Sequence, residues 1–424
     1  MIKLLIISDD FTGALDTGVK FSTAGARTKV STDTQTDFRQ EIAEEVLVLC
    51  APTRHLPPRE AYDMIRPIAQ RAAAARIGCI YKKTDSALRG NIGAELGAVL
   101  DGSGETSLCF IPALPGMNRI TVDGVHYIDG VPVDQSVFGQ DPFEPVTESR
   151  VPDLLHLQCD VPVEVVSPEA LNSFCPGKKR CIYLFDCASR QDMEREAQTL
   201  YRLGCLKLLA GCAGLAESLP GYLGLHMGEK TQCRVKVSRL VVLCGSVNPI
   251  SSSQMDYGEQ RGYRRVHIPA DRLLSGGRLN TGSDAMMMDY LWTLYCQSPY
   301  LMIDSLQMGQ EQVLFGTEEL SLEDIRQRIS CQMGRILKEL IDRGADACFM
   351  IIGGDTLLAF LDSIGCHELT PVCEIQPGVV LSRIAYQGRE YEIISKSGGF
   401  GEKDLLVTLQ RETESVTRSQ FAGA

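Results

Sequence analysis

Several features that mark common classes of protein are missing from this sequence. Basic residues do not dominate it: the formal net charge is -12, and nucleic acid and anionic membrane surfaces repel an acidic chain. No apolar run approaches the ~18 residues of a membrane span. The first apolar run, residues 4–7, is also too short for the hydrophobic region of a signal peptide. These absences predict no nucleic-acid partner, no membrane partner and a location in the cytoplasm.

The usual patterns of metal sites are missing as well. The 16 cysteines include no C-x-x-C pair and the six histidines are scattered, so the ligand spacing of zinc sites is absent. Many cysteines lie inside apolar runs, where a free cysteine behaves as a small hydrophobic residue. We therefore predict no protein-held metal and reduced cysteines, as is usual in the cytoplasm.

Two common nucleotide-binding fingerprints are also absent. The sequence contains neither G-x-x-x-x-G-K-[ST] nor G-x-G-x-x-G. Without the first, the chain is not a P-loop protein, and without the second it is not a standard dinucleotide binder. An oxidoreductase on a Rossmann-like sheet is therefore disfavoured.

The sequence does contain a regular alternation of strands and helices. Its 424 residues exceed the size at which one core usually splits, so we expect two domains of about 200 residues. Short all-apolar runs alternate with segments of helical spacing, which is typical of doubly wound parallel sheets; the clearest are residues 4–7, 46–50, 240–244 and 347–352. We predict an α/β fold with two Rossmann-like three-layer domains, mostly parallel sheets and a ligand cleft between the domains. A weakly periodic, basic linker at 226–238 divides them into residues 1–228 and 236–424.

One polar stretch of the first domain follows a short buried strand at 79–81 and precedes a helix at 92–100, with Asn91 as its N-cap. Ligands of open α/β sheets bind at this end of the strands. Cations there suit a carboxylate or phosphate, and the aspartate suits a hydroxyl. The candidate residues are Lys82, Lys83, Thr84, Asp85 and Arg89. The alternative is a surface loop in which Lys83 or Arg89 merely neutralises Asp85.

Two neighbouring strand ends carry further charges. Asp9 and Asp10 follow the strand at 4–7, and Arg54 follows the strand at 46–50. The alternative for the aspartates is helix capping, since an acidic residue at a first turn is favoured by the helix dipole. Capping accounts for one aspartate more easily than for two.

The second domain offers two glycine loops instead of charged side chains. Gly353, Gly354, Asp355 and Thr356 lie between a buried strand and a helix, and backbone N–H groups at such a helix start bind phosphate. Asp355 and Thr356 either cap the helix or meet phosphate-bound Mg²⁺. The second loop runs from 396 to 401 and combines a lysine, a hydroxyl and three glycines.

Residues 112–153 interrupt the alternation with a segment rich in proline, glycine and turn residues. A connection of this length inside a compact domain is usually functional. Residues 127–133 form a hairpin around Asp129-Gly130 in our interpretation. Several interpretations of the segment remain open: a lid over the site, a loop that binds substrate, an arm that joins subunits, or an excursion without a function of its own.

Together, a hydroxylated acid bound by one domain and a nucleotide bound by the other describe a small-molecule kinase, because phosphoryl transfer needs mainly positioning and charge stabilisation. Five segments then resemble one family: S-D-D-F-T-G-A, K-K-T-D-S-x-L-R-G-N-I-G-A-E, P-A-L-P-G-x-N-R-x-T-x-x-G-x-H-Y, G-G-D-T and K-S-G-G-F-G. In this order they resemble the four-carbon acid sugar kinases, which phosphorylate tetronates such as D-threonate, D-erythronate and 3-oxo-tetronate with ATP.

The resemblance implies phosphorylation of the terminal hydroxyl, an N-terminal substrate domain and a C-terminal ATP domain. It places the sugar acid on Asp9, Asp10, Arg54, Lys82, Lys83, Thr84, Asp85 and Arg89. It places ATP, with its Mg²⁺, on Ser246, Gly353, Gly354, Asp355, Thr356, Lys396, Gly398, Gly399 and Gly401. The lysine pair before T-D-S is more similar to D-threonate and D-erythronate kinases than to 3-oxo-tetronate kinases. We predict D-threonate as the substrate, with D-erythronate or 3-oxo-tetronate as the alternatives, because no motif separates D-threonate from D-erythronate.

The roles that follow are hypotheses. Asp85 is the base or orients the acceptor hydroxyl, with Asp10 as the second candidate. Arg54 and Lys82 bind the carboxylate, Lys83 or Arg89 faces the γ-phosphate, and Lys396 reaches the β-phosphate. A different class remains open, a protein that binds nucleotide and metabolite without catalysis. A homodimer is a further possibility.

Overall fold

The computed structural model describes residues 1–40, 42–141, 144–228, 233, 239–274, 282–305 and 321–411. The chain divides into two compact units, Met1–Thr231 and Gln232–Ala424. The predicted domain limits of 228 and 236 stay a prediction, because most residues between them lie outside the described ranges. The prediction of a linker at 226–238 falls largely on the same residues. No helix in the described part of the chain is long and apolar enough to cross a bilayer.

Eight described strands of the first unit form a parallel sheet in the order β2-β3-β1-β4-β11-β5-β10-β9. These strands are β1 (Leu4–Ser8), β2 (Thr28–Ser31), β3 (Val46–Cys50), β4 (Cys79–Lys83), β5 (Ser107–Ile111), β9 (Val163–Val166), β10 (Cys181–Phe185) and β11 (Leu208–Gly211). Three short antiparallel strands, β6 (Arg119–Val122), β7 (Val125–Ile128) and β8 (Val131–Pro132), form a separate sheet within residues 112–153. This sheet includes the predicted hairpin around Asp129-Gly130.

Helices cover both faces of the parallel sheet, which is why its central strands β1, β3 and β4 are buried along their whole length. The helices are α1 (Phe11–Thr23), α2 (Pro58–Ala74), α3 (Ile92–Ser103), α4 (Val151–His156), α5 (Arg190–Arg202) and α6 (Ala213–Ser218). On one face, Leu47 and Leu49 of β3 belong to the core that α2 and α3 complete. On the other face, Gly18 of α1 packs directly against Val48.

The second unit contains a five-stranded parallel sheet, β13-β14-β12-β15-β18, that continues into antiparallel β17 and β16. Its strands are β12 (Leu240–Cys244), β13 (Arg264–His267), β14 (Tyr300–Asp304), β15 (Cys348–Ile352), β16 (Glu368–Gln376), β17 (Val379–Tyr386) and β18 (Arg389–Lys396). Its helices are α7 (Pro249–Gln260), α8 (Ala270–Leu274), α9 (Gly282–Gln297), α10 (Leu322–Asp342) and α11 (Gly354–Ser363), and residues 405–411 are also helical. The predicted α/β fold with two mostly parallel sheets is confirmed.

Some local predictions were wrong. β4 does not end at residue 81 but includes Lys82 and Lys83, and α11 begins at Gly354 rather than near 357. Asn91 occupies the N-cap position of α3, yet its side chain makes no capping bond. Instead the Gln158 side chain accepts hydrogen bonds from the first N–H groups of that helix, Gly93 and Ala94.

The cysteines also depart from the prediction that all are reduced. A disulfide joins Cys233 to Cys373, with Cα atoms 5.5 Å apart. The other cysteines in the described ranges are free thiols, and more than half of them are buried.

Candidate active site

The carboxyl ends of three adjacent strands bring the predicted charges of the first unit together. β1 lies between β3 and β4, and Ser8 is level with Cys50 on one side and with Lys83 on the other. The segments that follow these strands therefore emerge side by side. Asp9, Asp10, Arg54, Lys83 and Asp85 form one cluster as a result.

Arg54 is the centre of this cluster. Its Nε lies 2.7 Å from Asp9 Oδ2, and its Nη2 lies 2.8 Å from Asp10 Oδ1 and 3.6 Å from Asp85 Oδ1. A guanidinium group can serve several acceptors because its donors form a rigid fork. Arg54 thus fixes the three carboxylates relative to one another.

Two further cations complete the arrangement. Lys83 Nζ lies 3.0 Å from Asp10 Oδ1 and 3.5 Å from Asp9 Oδ1. Arg89 makes a bidentate contact with Asp85, at 3.0 Å from Nε to Oδ2 and 3.1 Å from Nη2 to Oδ1. Its Nη1 donates to Asp141 Oδ2 at 3.2 Å.

These contacts keep the carboxylates ionised. Burial alone would raise the pKa of Asp9, Asp10 and Asp85, but the neighbouring cations outweigh it and lower the pKa of all three. For Asp85 the strongest opposing charges are Arg89 and Arg54, and its pKa falls well below the usual value. At neutral pH each of these groups is therefore a hydrogen-bond acceptor.

The two alternative interpretations of these aspartates do not fit the structure. Asp10 stands at the N-cap of α1 but makes no capping bond; its carboxylate accepts from Thr12 Oγ1 at 2.7 Å and pairs with Lys83 and Arg54. Asp85 is only 6% exposed, so its pairing with Arg89 occurs inside the protein rather than in a surface loop.

Thr84 follows β4 directly and lies between Lys83 and Asp85 in the chain. Its backbone N–H donates to Gly211 O at 2.8 Å. Its side-chain Oγ1 is buried and has no hydrogen-bond partner among the described residues. Buried polar atoms are rarely left without a partner, so this hydroxyl is suited to a ligand.

Lys82 lies elsewhere, because successive residues of a strand point to opposite faces. Its Nζ is completely buried, lies 2.9 Å from Glu95 Oε2 of α3 and donates to Lys83 O at 2.7 Å. The Thr53 hydroxyl contacts the other oxygen of Glu95. The cluster therefore rests on a buried ion pair, and the sequence analysis assigned no role to Glu95 although it lies in a quoted motif.

Replacing Lys82 by methionine is expected to lower the free energy of unfolding of the first unit by about 3 kcal/mol, because Glu95 would remain buried without its counter-ion. The double variant Lys82→Met, Glu95→Gln is expected to recover most of this loss, since neither charge is then left unpaired. Far-UV circular dichroism in urea measures the effect, while fluorescence of Trp292, the sole tryptophan, follows the second unit. Equal losses in both variants would contradict the ion-pair interpretation.

The second unit brings its glycine loops together in the same way. β12, β15 and β18 are adjacent and parallel, so residues 245–246, 353–356 and 397–401 follow neighbouring strand ends. A side chain at Gly245 would occupy the place of Thr356 Oγ1, and a side chain at Gly398 would collide with Ser246 Oγ. The glycines therefore allow a close approach of backbone segments that carry free N–H groups at the start of α11.

Lys396, the last residue of β18, is held inside this arrangement. Its Nζ donates to Ser251 Oγ at 3.1 Å and to the carbonyl oxygens of Ser397 and Gly398 at 3.0 Å each. Burial lowers its pKa to about 8. These contacts shape the loop at 397–401, and the predicted contact of Lys396 with a β-phosphate stays a prediction.

Gln254 supports the same loop, which the sequence analysis did not foresee. Its Nε2 donates to Gly401 O at 2.8 Å and to Glu402 O at 3.0 Å. Gly399 and Gly401 lie in this loop.

Asp355, in the other glycine loop, is more than half exposed, and Arg326 Nε lies 3.7 Å from its carboxylate. In the described ranges no group of three His, Cys, Asp or Glu side chains is placed to bind a metal ion.

Gly353 has φ of +113°, a conformation that L-residues rarely adopt. Gly353→Ala is expected to weaken ATP binding at least about tenfold, because backbone strain of about 1–3 kcal/mol would displace the first turn of α11. Gly365→Ala, at φ +63° with open space around it, is the matched control and should bind ATP as the parent does. Calorimetric titration of ATP checks both. Equal affinities of the two variants would remove Gly353 from the nucleotide site.

Comparison with known proteins agrees with a sugar acid site in the first unit and a nucleotide site in the second. A sugar-binding N-terminal domain matches residues 4–219, and a nucleotide-binding C-terminal domain matches residues 241–406. The D-threonate kinase of Salmonella typhimurium is 27% identical over 96% of this chain and 97% of its own. The D-erythronate kinase of Heliobacterium modesticaldum is 29% identical over 96% of each chain, and the 3-oxo-tetronate kinase of Salmonella typhimurium is 23% identical over 97% and 99%.

The two domain matches extend over most of the chain, and these relatives are kinases of small sugar acids, so the protein is a small-molecule kinase. The chain belongs to the four-carbon acid sugar kinase family. A solved structure from Salmonella typhimurium LT2 shares the fold, with a TM-score of 0.78 and 21% identity over 97% of this chain and 100% of its own.

Proposed function

We propose that this enzyme transfers the γ-phosphoryl group of ATP to the terminal, C4 hydroxyl of D-threonate. The observation that supports this most is the cluster around Arg54, in which ionised aspartates and fixed cations lie side by side at one sheet edge. Carboxylates accept hydrogen bonds from the hydroxyls of a sugar acid, and guanidinium and ammonium groups bind its carboxylate. The relative named D-threonate kinase adds support over nearly the whole chain.

In this proposal the residues of the first unit divide the work. Arg54 and Lys83 bind the substrate carboxylate, and the unpartnered hydroxyl of Thr84 with Asp9 and Asp10 receives the substrate hydroxyls. Arg89, a quarter of whose side chain is exposed, faces the transferred phosphoryl group. The ion pair between Lys82 and Glu95 fixes the end of β4 against α3.

Asp85 orients the acceptor hydroxyl and takes its proton as the new O–P bond forms. The bond from the γ-phosphorus to the ADP oxygen breaks in the same step, and the proton passes from Asp85 to solvent after product release. Its low pKa makes Asp85 a weak base. That suffices, because the transition state of phosphoryl transfer is loose and needs charge stabilisation and alignment more than proton removal.

The glycine loops would hold the nucleotide. The residues assigned to it are Ser246, Gly353, Gly354, Asp355, Thr356, Gly398, Gly399 and Gly401, with Lys396 shaping the last loop. Mg²⁺ would arrive with ATP and neutralise charge on its phosphates. These loops fit the phosphates of ATP, because free N–H groups at the start of α11 and closely packed glycines suit phosphate oxygens.

An ADP-release assay with D-threonate, D-erythronate and 3-oxo-tetronate tests the proposal. We expect ADP release with D-threonate, and a phosphate on C4 of the product by NMR. Binding of ATP without ADP release from any tetronate would instead support the non-catalytic alternative. D-Erythronate is the second candidate, since a relative named D-erythronate kinase is 29% identical. The cytoplasmic location and the homodimer stay predictions.

A further inference from the structure

Residues 112–153 contact the loop at 84–89, which contains Asp85, through the β6–β7 hairpin. Arg119 and Thr121 lie on β6, and His126 lies on β7 directly opposite Thr121. All three are buried, although the segment itself lies outside the parallel sheet. They belong to a motif whose function neither the proposed mechanism nor the domain matches assign.

Two of these side chains contact Ser86, the neighbour of Asp85, and the third, Thr121, contacts His126. His126 Nε2 lies 3.0 Å from Ser86 O, and Arg119 Nη1 donates to Ser86 Oγ. His126 Nδ1 lies 3.1 Å from Thr121 Oγ1. Because a carbonyl oxygen only accepts, Nε2 carries the proton and Nδ1 accepts from the threonine hydroxyl. Thr121 thus selects the histidine tautomer that can bind Ser86.

The charge state of His126 agrees with this tautomer. Burial lowers its pKa to about 4, against a weaker opposing effect of the bond to Ser86, while Arg119 adds to the lowering. The ring is therefore neutral at physiological pH. It is a fixed donor to the Ser86 carbonyl and does not switch within the physiological range.

The loop that receives these contacts cannot be held by its own sequence alone. Leu88 has φ of +63° although it is buried and carries a bulky side chain, and such a conformation persists only where the surroundings enforce it. Within the loop, Asp85 Oδ2 accepts from Ala87 N at 3.1 Å and Asp85 O accepts from Leu88 N at 3.0 Å. The direction of the Asp85 carboxylate therefore depends on the position of residues 86–88.

The other end of the same loop is tied to the same segment. The guanidinium groups of Arg89 and Arg119 each lie 5.2 Å from the centre of the Phe138 ring, a distance at which cation–π attraction is effective. Asp141 contacts Arg89 as well. Residues 112–141 thus contact the loop both just after Asp85 and at Arg89.

We propose that His126, Thr121 and Arg119 are positioning residues that hold Asp85 in its reactive orientation through Ser86. Residues 119–126 are then a fixed part of the active site, in place of the lid or the subunit arm that the sequence left open. This inference rests on the proposed role of Asp85. It predicts a loss in kcat with little change in KM, because the residues that bind the carboxylate stay in place.

Two histidine substitutions separate this role from general packing. Glutamine can place an amide N–H where Nε2 lies, whereas asparagine reaches only the position of Nδ1. His126→Asn is expected to lower kcat for D-threonate about 10- to 100-fold, since a displacement of about 1 Å in a reacting group costs up to about 100-fold. His126→Gln is expected to keep kcat within about threefold of the parent. Tyr127→Phe, a neighbour on β7, is the control and should match the parent.

Hydrogen exchange gives a readout that does not depend on the substrate. The amides of Ala87 and Leu88 should exchange faster in His126→Asn than in the parent, and His126→Gln should restore their protection. Equal exchange in the two variants, or equal kcat values, would overturn the positioning role. Absence of turnover in the parent with every tetronate would overturn the proposed function only, and the exchange result would still decide whether the hairpin holds the loop.

Discussion

Replacing Asp85 by asparagine is expected to lower kcat about 10²–10⁴-fold, the range over which a positioned acid or base contributes to a rate. The amide keeps the shape of the carboxylate but removes the charge that Arg89 and Arg54 face. It also removes the acceptor strength that orients the substrate hydroxyl. Steady-state ADP release at saturating D-threonate and ATP measures the effect.

Asp153→Asn is a suitable control, because Asp153 is an exposed aspartate on α4 whose partner is Arg150. It should leave kcat unchanged. Asp10→Asn tests the second candidate for the base. If Asp85→Asn keeps near-normal turnover while Asp10→Asn loses it, the acceptor hydroxyl belongs to Asp10, and the cluster must be assigned anew around β1.

The pH dependence of the parent enzyme follows from the same charges. Because Arg89 and Arg54 outweigh burial and hold the pKa of Asp85 well below its usual value, Asp85 stays ionised at every pH above about 4. We expect no acid limb in the kcat profile between pH 5 and 7 from this group. A limb with an apparent pKa near 6 would show that a different residue controls the rate.

The positions of the candidate site could be predicted because strand ends are visible in a sequence. Four- and five-residue apolar runs indicate buried parallel strands, and the polar residues after them must meet at one edge of the sheet. The proximity of Asp9, Arg54 and Asp85 was predictable because each follows a parallel strand of the same sheet. The glycine loops of the second unit were found in the same way.

The direction of each side chain could not be predicted, because it depends on partners far away in the sequence. Lys82 and Lys83 are adjacent, yet one pairs with Glu95 on α3 and the other with Asp9 and Asp10. Charged residues are rare in buried strands, so the local pattern predicts a strand that ends before these lysines. Lys82 can be buried in β4 because Glu95 of α3 supplies its counter-ion.

Two kinds of feature were missed altogether. Short strands with few apolar residues, such as β2 and β13, lack the runs on which the analysis depended. The roles of Ser251 and Gln254 were also invisible, because both act on carbonyl oxygens of a loop about 145 residues later. Nothing in a local pattern indicates hydrogen bonds over such separations.

Arg54→Met is expected to have the second large effect, and it acts on stability as well as on activity. The substitution leaves Asp9, Asp10 and Asp85 close together with only Lys83 and Arg89 to balance them. Removing one partner of a buried charge cluster costs about 3–5 kcal/mol, and we expect the upper end of this range for the first unit. Loss of the carboxylate contact should also lower kcat/KM about 10²–10⁴-fold.

Far-UV circular dichroism in urea measures the loss of stability, and the fluorescence of Trp292 should change little because this residue lies in the second unit. Arg59→Met is the matched control. The Arg59 side chain is 80% exposed and pairs with Asp63 one turn along α2, and such surface pairs contribute little. A similar shift of the urea midpoint in both variants would contradict the central role of Arg54.

The loss caused by Arg54→Met should also depend on pH in a defined direction. In the parent, the lowered pKa values of Asp9, Asp10 and Asp85 provide stability that is complete above the unfolded pKa of about 3.9 and is lost as the pH falls through the folded pKa. Without Arg54 the folded pKa values rise, so the buried carboxylates take up protons more readily. The difference in free energy of unfolding between parent and variant should therefore be largest near pH 7 and shrink toward pH 4. A difference that stays constant over this range would mean that Lys83 and Arg89 alone keep the folded pKa values of the carboxylates below the unfolded value in the variant.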